Sequence, residues 1–209
     1  MTHSAVSRQY SALASSYDRR WERYVRDSTT LALAEFPTSP TLRVVDICCG
    51  TGVLLERALD ADNTRTAIGV DVTFDMLRQA AERLPRTVPL ICASGDNVPL
   101  RGASVDVVVS TSALHHLRDP MSMLREAFRV LVPGGTVIAG DWCRDYWTMN
   151  ALDRVLRWVD PAHVATLSGE TLVRLMRNAG FQNVKVSRQR IDGFWGLMTA
   201  SAQRPDESG

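Results

Sequence analysis

The sequence predicts an α/β fold in which buried parallel strands alternate with helices, and three stretches carry that prediction. The first is Val44-Val45-Asp46-Ile47, an apolar run containing one acid, followed by the turn Cys48-Cys49-Gly50-Thr51-Gly52 and the amphipathic start Val53-Leu54-Leu55. The second is Thr66-Ala67-Ile68-Gly69-Val70-Asp71, a short apolar run that ends in a carboxylate 19 residues after Gly52. The third is Val105-Asp106-Val107-Val108-Val109-Ser110, the most continuous apolar run, which suits a central strand buried on both faces.

The first turn has a chemical reading. Gly50 and Gly52 lack the Cβ atoms that would keep a ligand away from the backbone, and a loop opening a helix presents unpaired N–H groups at the helix's positive end. Such a loop receives a carboxylate, phosphate or ribose at the carboxyl end of a parallel strand, and an acid closing the next strand, here Asp71, accepts from a ribose diol. A dinucleotide fingerprint would need a small residue three positions after Gly52, where this chain has Leu55, so a nicotinamide cofactor is disfavoured.

The loop resembles the glycine loop of the class I S-adenosylmethionine-dependent methyltransferases, and Asp46-Ile47-Cys48-Cys49-Gly50-Thr51-Gly52 is similar to that of the ubiquinone and menaquinone C-methyltransferase type (methyltransferase type 11 domain). Further marks of the resemblance are Asp71, Gly95-Asp96-Asn97-Val98-Pro99-Leu100, the 105–110 run, Leu114-His115-His116-Leu117 and Arg129-Val130-Leu131-Val132-Pro133-Gly134-Gly135. The resemblance runs from about Tyr10 to Ala202. The resemblance implies a Rossmann-like, seven-stranded, mostly parallel sheet with helices on both faces, an antiparallel C-terminal edge strand and an N-terminal helical arm. It implies S-adenosyl-L-methionine as donor and S-adenosyl-L-homocysteine as product. Cys48 departs from the pattern, standing where most of the superfamily has glycine and placing a thiol near the ligand.

Composition bounds the rest. With 209 residues, 45% of them hydrophobic, the chain is expected to form one domain with a full core. It divides into a helical arm at 1–36, a cofactor-binding core at 42–141, an acceptor-side helical insertion at 142–167, and a C-terminal helix with two strands at 168–202. A formal net charge of +1 gives no field to draw nucleic acid, so no nucleic-acid partner is expected. The four cysteines, Cys48, Cys49, Cys92 and Cys143, include no C-x-x-C pair, so free thiols in a reducing cytoplasm are expected and no metal site. No stretch approaches the roughly 20 apolar residues of a membrane span.

In chain order, Tyr10, Leu13, Ala14, Tyr17, Trp21 and Tyr24 recur at helical spacing, forming the stripe of one helix or two short ones. The bland reading is an arm over the sheet edge. The resemblance implies an arm closing on the cofactor, with Tyr17 of a Tyr17-Asp18 element beside it. The interleaved Arg8, Arg19, Arg20, Arg23 and Arg26 also suit peripheral contact with an anionic membrane, although Asp18, Glu22 and Asp27 dilute that charge. A helix at 29–36 is expected to break at Pro37 and Pro40. Helices are expected at 53–59 and 74–84, the latter capped by Thr73, and a strand at 88–93. The resemblance implies a side chain at the start of the 74–84 helix packing on an adenine, for which Val72 and Met76 are the candidates, with ordinary core equally open for Met76. At the turn Gly95-Asp96-Asn97 a carboxylate can accept from an exocyclic amine while a neighbouring N–H donates to a ring nitrogen, which suits adenine; a plain Asx-turn is the alternative.

Ser110, at the end of the central run, shares one sheet edge with Gly50, Asp71 and Asp96. His115 or His116 could face the acceptor and take a proton, or simply close the loop; adjacent helical histidines chelate poorly. Pro120 opens a helix to 131, Pro133-Gly134-Gly135 turns into a strand at 136–141, and a helix is expected at 146–159. The aromatic segment containing Trp142, Tyr146, Trp147 and Trp158 is read as a wall or lid of the acceptor pocket, against plain core packing. Ser168 starts a last helix ending at 178–180, followed by strands near 183–190 and 194–202 and a polar tail. In-line methyl transfer needs alignment more than side-chain chemistry. His115, His116 and Asp141 are the catalytic candidates with Tyr17 beside them, and Asp46 is expected to orient the loop and the donor's amino group. The acceptor is expected to be small and partly apolar: a quinone-like or aromatic ring, or a natural product. N-methylation of a lipid amine and a non-catalytic donor-binding protein are the rival readings.

Overall fold

A computed structural model describes residues 2–39 and 41–206, so Pro40 and the last three residues of the expected tail lie outside the described residues. Seven strands form one sheet: β1 (Arg43–Ile47), β2 (Thr66–Asp71), β3 (Leu90–Cys92), β4 (Val105–Thr111), β5 (Leu131–Trp142), β6 (Gln182–Arg190) and β7 (Gly196–Gln203). Their order is β3-β2-β1-β4-β5-β7-β6. The first five run parallel, and β7 is antiparallel to both β5 and β6. After β1 the chain winds outward through β2 to β3, then returns to lay β4 on the other side of β1. This reversal opens a crevice between the carboxyl ends of β1 and β4, the place where doubly wound sheets bind ligands.

The two faces of the sheet are legible in single-residue alternation. Val45, Ile47 and Val108 pack into one core with Leu124, Leu172 and Met176, under the helices α5 (Pro120–Val130) and α7 (Gly169–Asn178). Val44, Val107, Val109 and Ile138 pack into the other with Ala32, Leu55 and Leu77. Those last three come from α2 (Tyr17–Leu33), α3 (Val53–Ala61) and α4 (Phe74–Arg83). The remaining helices are α1 (Thr2–Leu13) and α6 (Trp147–Val159). No helix among the described residues is long and apolar enough to cross a membrane.

Several element boundaries differ from expectation for local reasons. The separate helix expected at 29–36 is the continuation of α2, which bends at Trp21 (φ −116°, ψ 20°). Ser28, Thr29 and Thr30 donate their hydroxyls to carbonyls three or four residues back, keeping the helix running where β-branched and hydroxyl residues suggest a start. Thr73 occupies the cap position of α4 but its side chain makes no cap bond. β3 is shorter than expected, because the Val88 N–H turns back to the Pro85 carbonyl. Pro133-Gly134-Gly135 does not precede β5 but lies within it, at an irregularity in the pairing with β4, with Gly134 at φ +75°.

Gly52 is set by packing. Its φ is +80°, and a Cβ there would lie 2.9 Å from Leu84 Cδ1 and 3.2 Å from Ala80 Cβ. Gly52→Ala therefore combines backbone strain with overpacking and is expected to cost about 2 kcal/mol, read as a lower urea midpoint with unchanged slope.

Candidate active site

At the β1/β4 crevice lies a cavity of about 240 Å³ roofed by the arm. Asp46 of β1 and Cys48, Gly50 and Thr51 of the turn after it line the cavity, together with Asp71 at the end of β2, Val72 just beyond it and Met76 of α4. Ser94, Gly95 and Asp96 close a second side, while Ser112, His116 and Leu117 close a third. Val6, Tyr10 and Tyr17 reach in from the arm.

Asp71 organises this rim. One carboxylate oxygen accepts from the Gly50 N–H at 2.9 Å and the other from the Thr73 N–H at 2.8 Å. Burial raises its pKa, while the Thr73 and Gly50 N–H groups oppose that rise. Asp46 is different: its Oδ1 is buried without a hydrogen-bond partner, and burial, then the nearby Asp71 charge, push its carboxyl well above the usual carboxylate range. Cys48 holds a left-handed backbone, φ +64°, which explains why glycine suits this position. Burial, then the charges of Asp71 and Asp46, raise its thiol pKa and keep it a neutral lining group. A Cβ on Gly95 would meet Ile47 Cγ2 at 2.8 Å, so this turn lies directly on the end of β1. Asp96 accepts from the Ser94 hydroxyl at 2.5 Å.

Three sets of contacts fasten the arm beside the cavity, in addition to Arg57, which donates to the Arg26 carbonyl and the Thr30 hydroxyl. Asp18 accepts from the Thr51 hydroxyl at 2.6 Å and pairs with Arg83, which also reaches Glu56 and the Thr51 carbonyl. The Tyr24 and Ser112 hydroxyls are 2.6 Å apart. The Tyr10 hydroxyl lies 2.7 Å from His116 Nε2, and His116 Nδ1 lies 2.8 Å from the Ala162 carbonyl. A carbonyl only accepts, so Nδ1 carries the proton and Tyr10 donates to Nε2. Burial, then His115, lower the His116 pKa to about 3, which fixes the ring neutral.

Other candidate residues lie behind this surface. Gly52 packs on α4, Asn97 is exposed with its N–H on the Ser94 carbonyl, and the Ser110 hydroxyl is buried without a partner; none lines the cavity, whereas Thr111 and Ser112 do. His115 and Asp141 form a buried pair at 2.7 Å, with Trp142 stacked on the imidazole, again off the lining. Burial would raise the Asp141 pKa, but His115 and two backbone N–H groups outweigh it and lower it. No residue of 142–167 lines the cavity, so the expected aromatic wall is absent there; that segment supports His116 from behind. Sequence reading did not place Val6, Tyr10 or Leu117 on the lining, nor Asp18 and Arg83 in the fastening of the arm. Asp18 and Tyr10 had a signal, in the Tyr17-Asp18 element and the helical stripe, whereas Arg83 had none.

Residues 45–139 match the family model described as "Methyltransferase domain". The chain is 32% identical over 142 residues to a demethylmenaquinone methyltransferase of Corynebacterium urealyticum, covering 66% of this chain and 56% of that one. A chain of the complex between the Haloferax volcanii Trm112 methyltransferase activator and a methyltransferase superposes with a TM-score of 0.83 at 20% identity, covering 94% and 97% of the two chains. An S-adenosylmethionine-dependent methyltransferase of Thermotoga maritima gives 0.76 at 23% identity, covering 95% and 99%. Residues 45–139 are thus similar to a methyltransferase domain, and the chain has the seven-stranded Rossmann-like sheet of its structural neighbours. Its sequence is similar to a demethylmenaquinone methyltransferase, and it spans about half the length of the first curated relatives it matches.

Tyr10→Phe leaves His116 Nε2 buried without its donor. The variant is expected to lose about 1–3 kcal/mol from arm closure, seen as faster limited proteolysis within residues 5–36 while the core stays protected.

Proposed function

We propose that the cavity binds S-adenosylmethionine and that the chain transfers its methyl group to a small, partly apolar, quinone-like acceptor. The observation that carries this reading is the buried, unpartnered Oδ1 of Asp46 on the cavity lining, an acceptor in need of a donor. The ammonium of the methionine moiety is such a donor, and Gly50, with nothing within 4 Å of the place a Cβ would take, leaves the backbone open to it. The lining carries the carboxyl groups of Asp46, Asp71, Asp96 and Asp119 against the one guanidinium of Arg118, a set suited to a ligand carrying a sulfonium and an ammonium. The Asp71 carboxylate on the lining suits a ribose hydroxyl, Asp96 suits the adenine amine, and Met76 with Val72 offers an apolar face.

When bound, the donor supplies an electrophilic methyl on sulfur. The protein's part is alignment and exclusion of water. His116 has both ring nitrogens engaged and is neutral, so in the closed form it holds the arm and is not a free base. The resemblance to demethylmenaquinone methyltransferases, together with Val6, Leu117 and the rings of Tyr10 and Tyr17 on the lining, favours a flat, apolar acceptor.

Calorimetric titration with S-adenosylmethionine and its demethylated product tests the reading. Binding to the wild type is expected, weakened by about 1–3 kcal/mol in Asp46→Asn and in Asp71→Ala. No binding to the wild type would overturn the proposal. Transfer to demethylated quinol analogues then tests the acceptor.

The raised Asp46 pKa gives a pH signature. The folded protein holds this proton above the unfolded acid's range, so the free protein loses stability as pH rises from about 4 through the folded pKa. A bound ammonium favours the ionised acid, so the thermal shift produced by the donor should be larger at pH 8 than at pH 5, with Asp46→Asn flattening the difference.

A further inference from the structure

The outer face of α6 carries an apolar surface without a partner among the described residues. Trp158 is 92% exposed, Trp147 74%, Val159 68% and Val155 56%, with Phe194 of the β6–β7 hairpin exposed beside them. The hairpin is tied to the helix by the Thr148 hydroxyl, which donates to the Phe194 carbonyl. Positions 147, 151, 155 and 158 lie on one helical stripe, so this is a continuous face. The opposite face anchors the helix through buried Thr148, Met149 and Asp153.

The charge on the exposed face has one sign. Arg154 and Arg157 are its exposed ionic residues. The one acid of the helix, Asp153, is buried and held by Arg157, His163 and the Thr166 N–H. The acids flanking the helix are also engaged: Asp145 pairs with Arg188, and Asp160 accepts from Gln9 and the Ala162 N–H. Indole rings at both ends of a helix face, aliphatic residues between them and arginines alongside match the requirements of an anionic lipid–water interface. The arm, which also mixes arginines and aromatics, lacks that presentation. Tyr24 is buried, Trp21 packs edge-on against Trp195, Tyr10 and Tyr17 line the cavity, and Arg23 and Arg26 pair with Asp27.

We propose that the Trp147–Trp158 face of α6 docks on an anionic lipid bilayer. The C-terminal end of α6 runs into the loop at 160–165, which Gln9 and His116 tie to the arm and the cavity wall. Docking there brings the seam between arm and loop to the bilayer, where an apolar acceptor is dissolved. The purpose of the contact rests on the proposed reaction, but the contact itself is measured without donor or acceptor, so the two can fail separately.

The test is sedimentation of the full chain with phosphatidylglycerol–phosphatidylcholine vesicles and with pure phosphatidylcholine vesicles. The wild type should sediment with the anionic vesicles, with a blue shift in tryptophan emission and weakening as salt rises. Trp147→Ser/Trp158→Ser should bind them roughly tenfold more weakly or worse, and Arg154→Glu should also weaken binding. Both substituted tryptophans are exposed, so an unchanged circular-dichroism spectrum and urea midpoint serve as the folding control. Absence of wild-type binding to any vesicle would overturn the proposal, as would binding undiminished in the double variant. Light scattering that showed a dimer lost in the double variant, without vesicle binding, would assign the face to a second copy of this chain instead.

Discussion

One buried carboxylate, that of Asp71, holds the ligand-facing rim together. It takes the N–H of Gly50 on one oxygen and that of Thr73 on the other, so the turn after β1 and the turn after β2 share one acceptor. Without it two backbone donors would face a desolvated crevice unpaired, and the glycine turn would lose its register against the second strand. The neighbouring Asp46 carries the complementary condition. Its buried, unpartnered oxygen is costly in the free protein and becomes useful only when a cation arrives. Geometry is thus fixed at Asp71, while the unsatisfied acceptor lies at Asp46.

The roof over this rim is polar in its fastenings and apolar in its body. Tyr10, Tyr17 and Tyr24 project inward from the arm, and two of their hydroxyls end on groups from the loop after β4. Because His116 is neutral and doubly bonded, its contribution lies in shape and exclusion of water, which is the contribution methyl transfer needs. The buried His115–Asp141 pair fits the same account. It fixes the backbone on which His116 sits, since Asp141 also accepts the His115 N–H.

Features that depend on local patterning were legible in the sequence. The β-branched runs at β1, β2 and β4 announce strands, their alternation announces two cores, and the acid closing β2 lands on the cavity. Features decided by which side of a short segment meets the crevice were not. Ser110 and Ser112 would share a face if the strand ran on, but β4 ends at Thr111 and the backbone of Ser112 is left-handed (φ +58°), which turns Ser112 to the lining while Ser110 stays in the interior. His115 and His116 are likewise divided, the first off the lining and the second on it. Trp147 and Trp158 read as pocket walls because large rings usually seek burial, and their solvent exposure is a tertiary outcome that composition does not encode. Arg83 joins the site only because α4 lies beside the glycine turn, a relation between segments 32 residues apart.

The arm's fastenings also bear on the order in which the molecule can be completed. α1 and α2 leave the ribosome ahead of the sheet, yet every partner that latches them comes later: Thr51 and Arg83, then Ser112 and His116, and at last Asp160 and Ile191. At the roughly 5–20 residues per second of synthesis, the amphipathic arm waits many seconds with its tyrosine stripe uncovered. The arm is therefore made before the groups that fasten it, and the nascent chain passes through a stage in which the β1/β4 crevice exists without its roof.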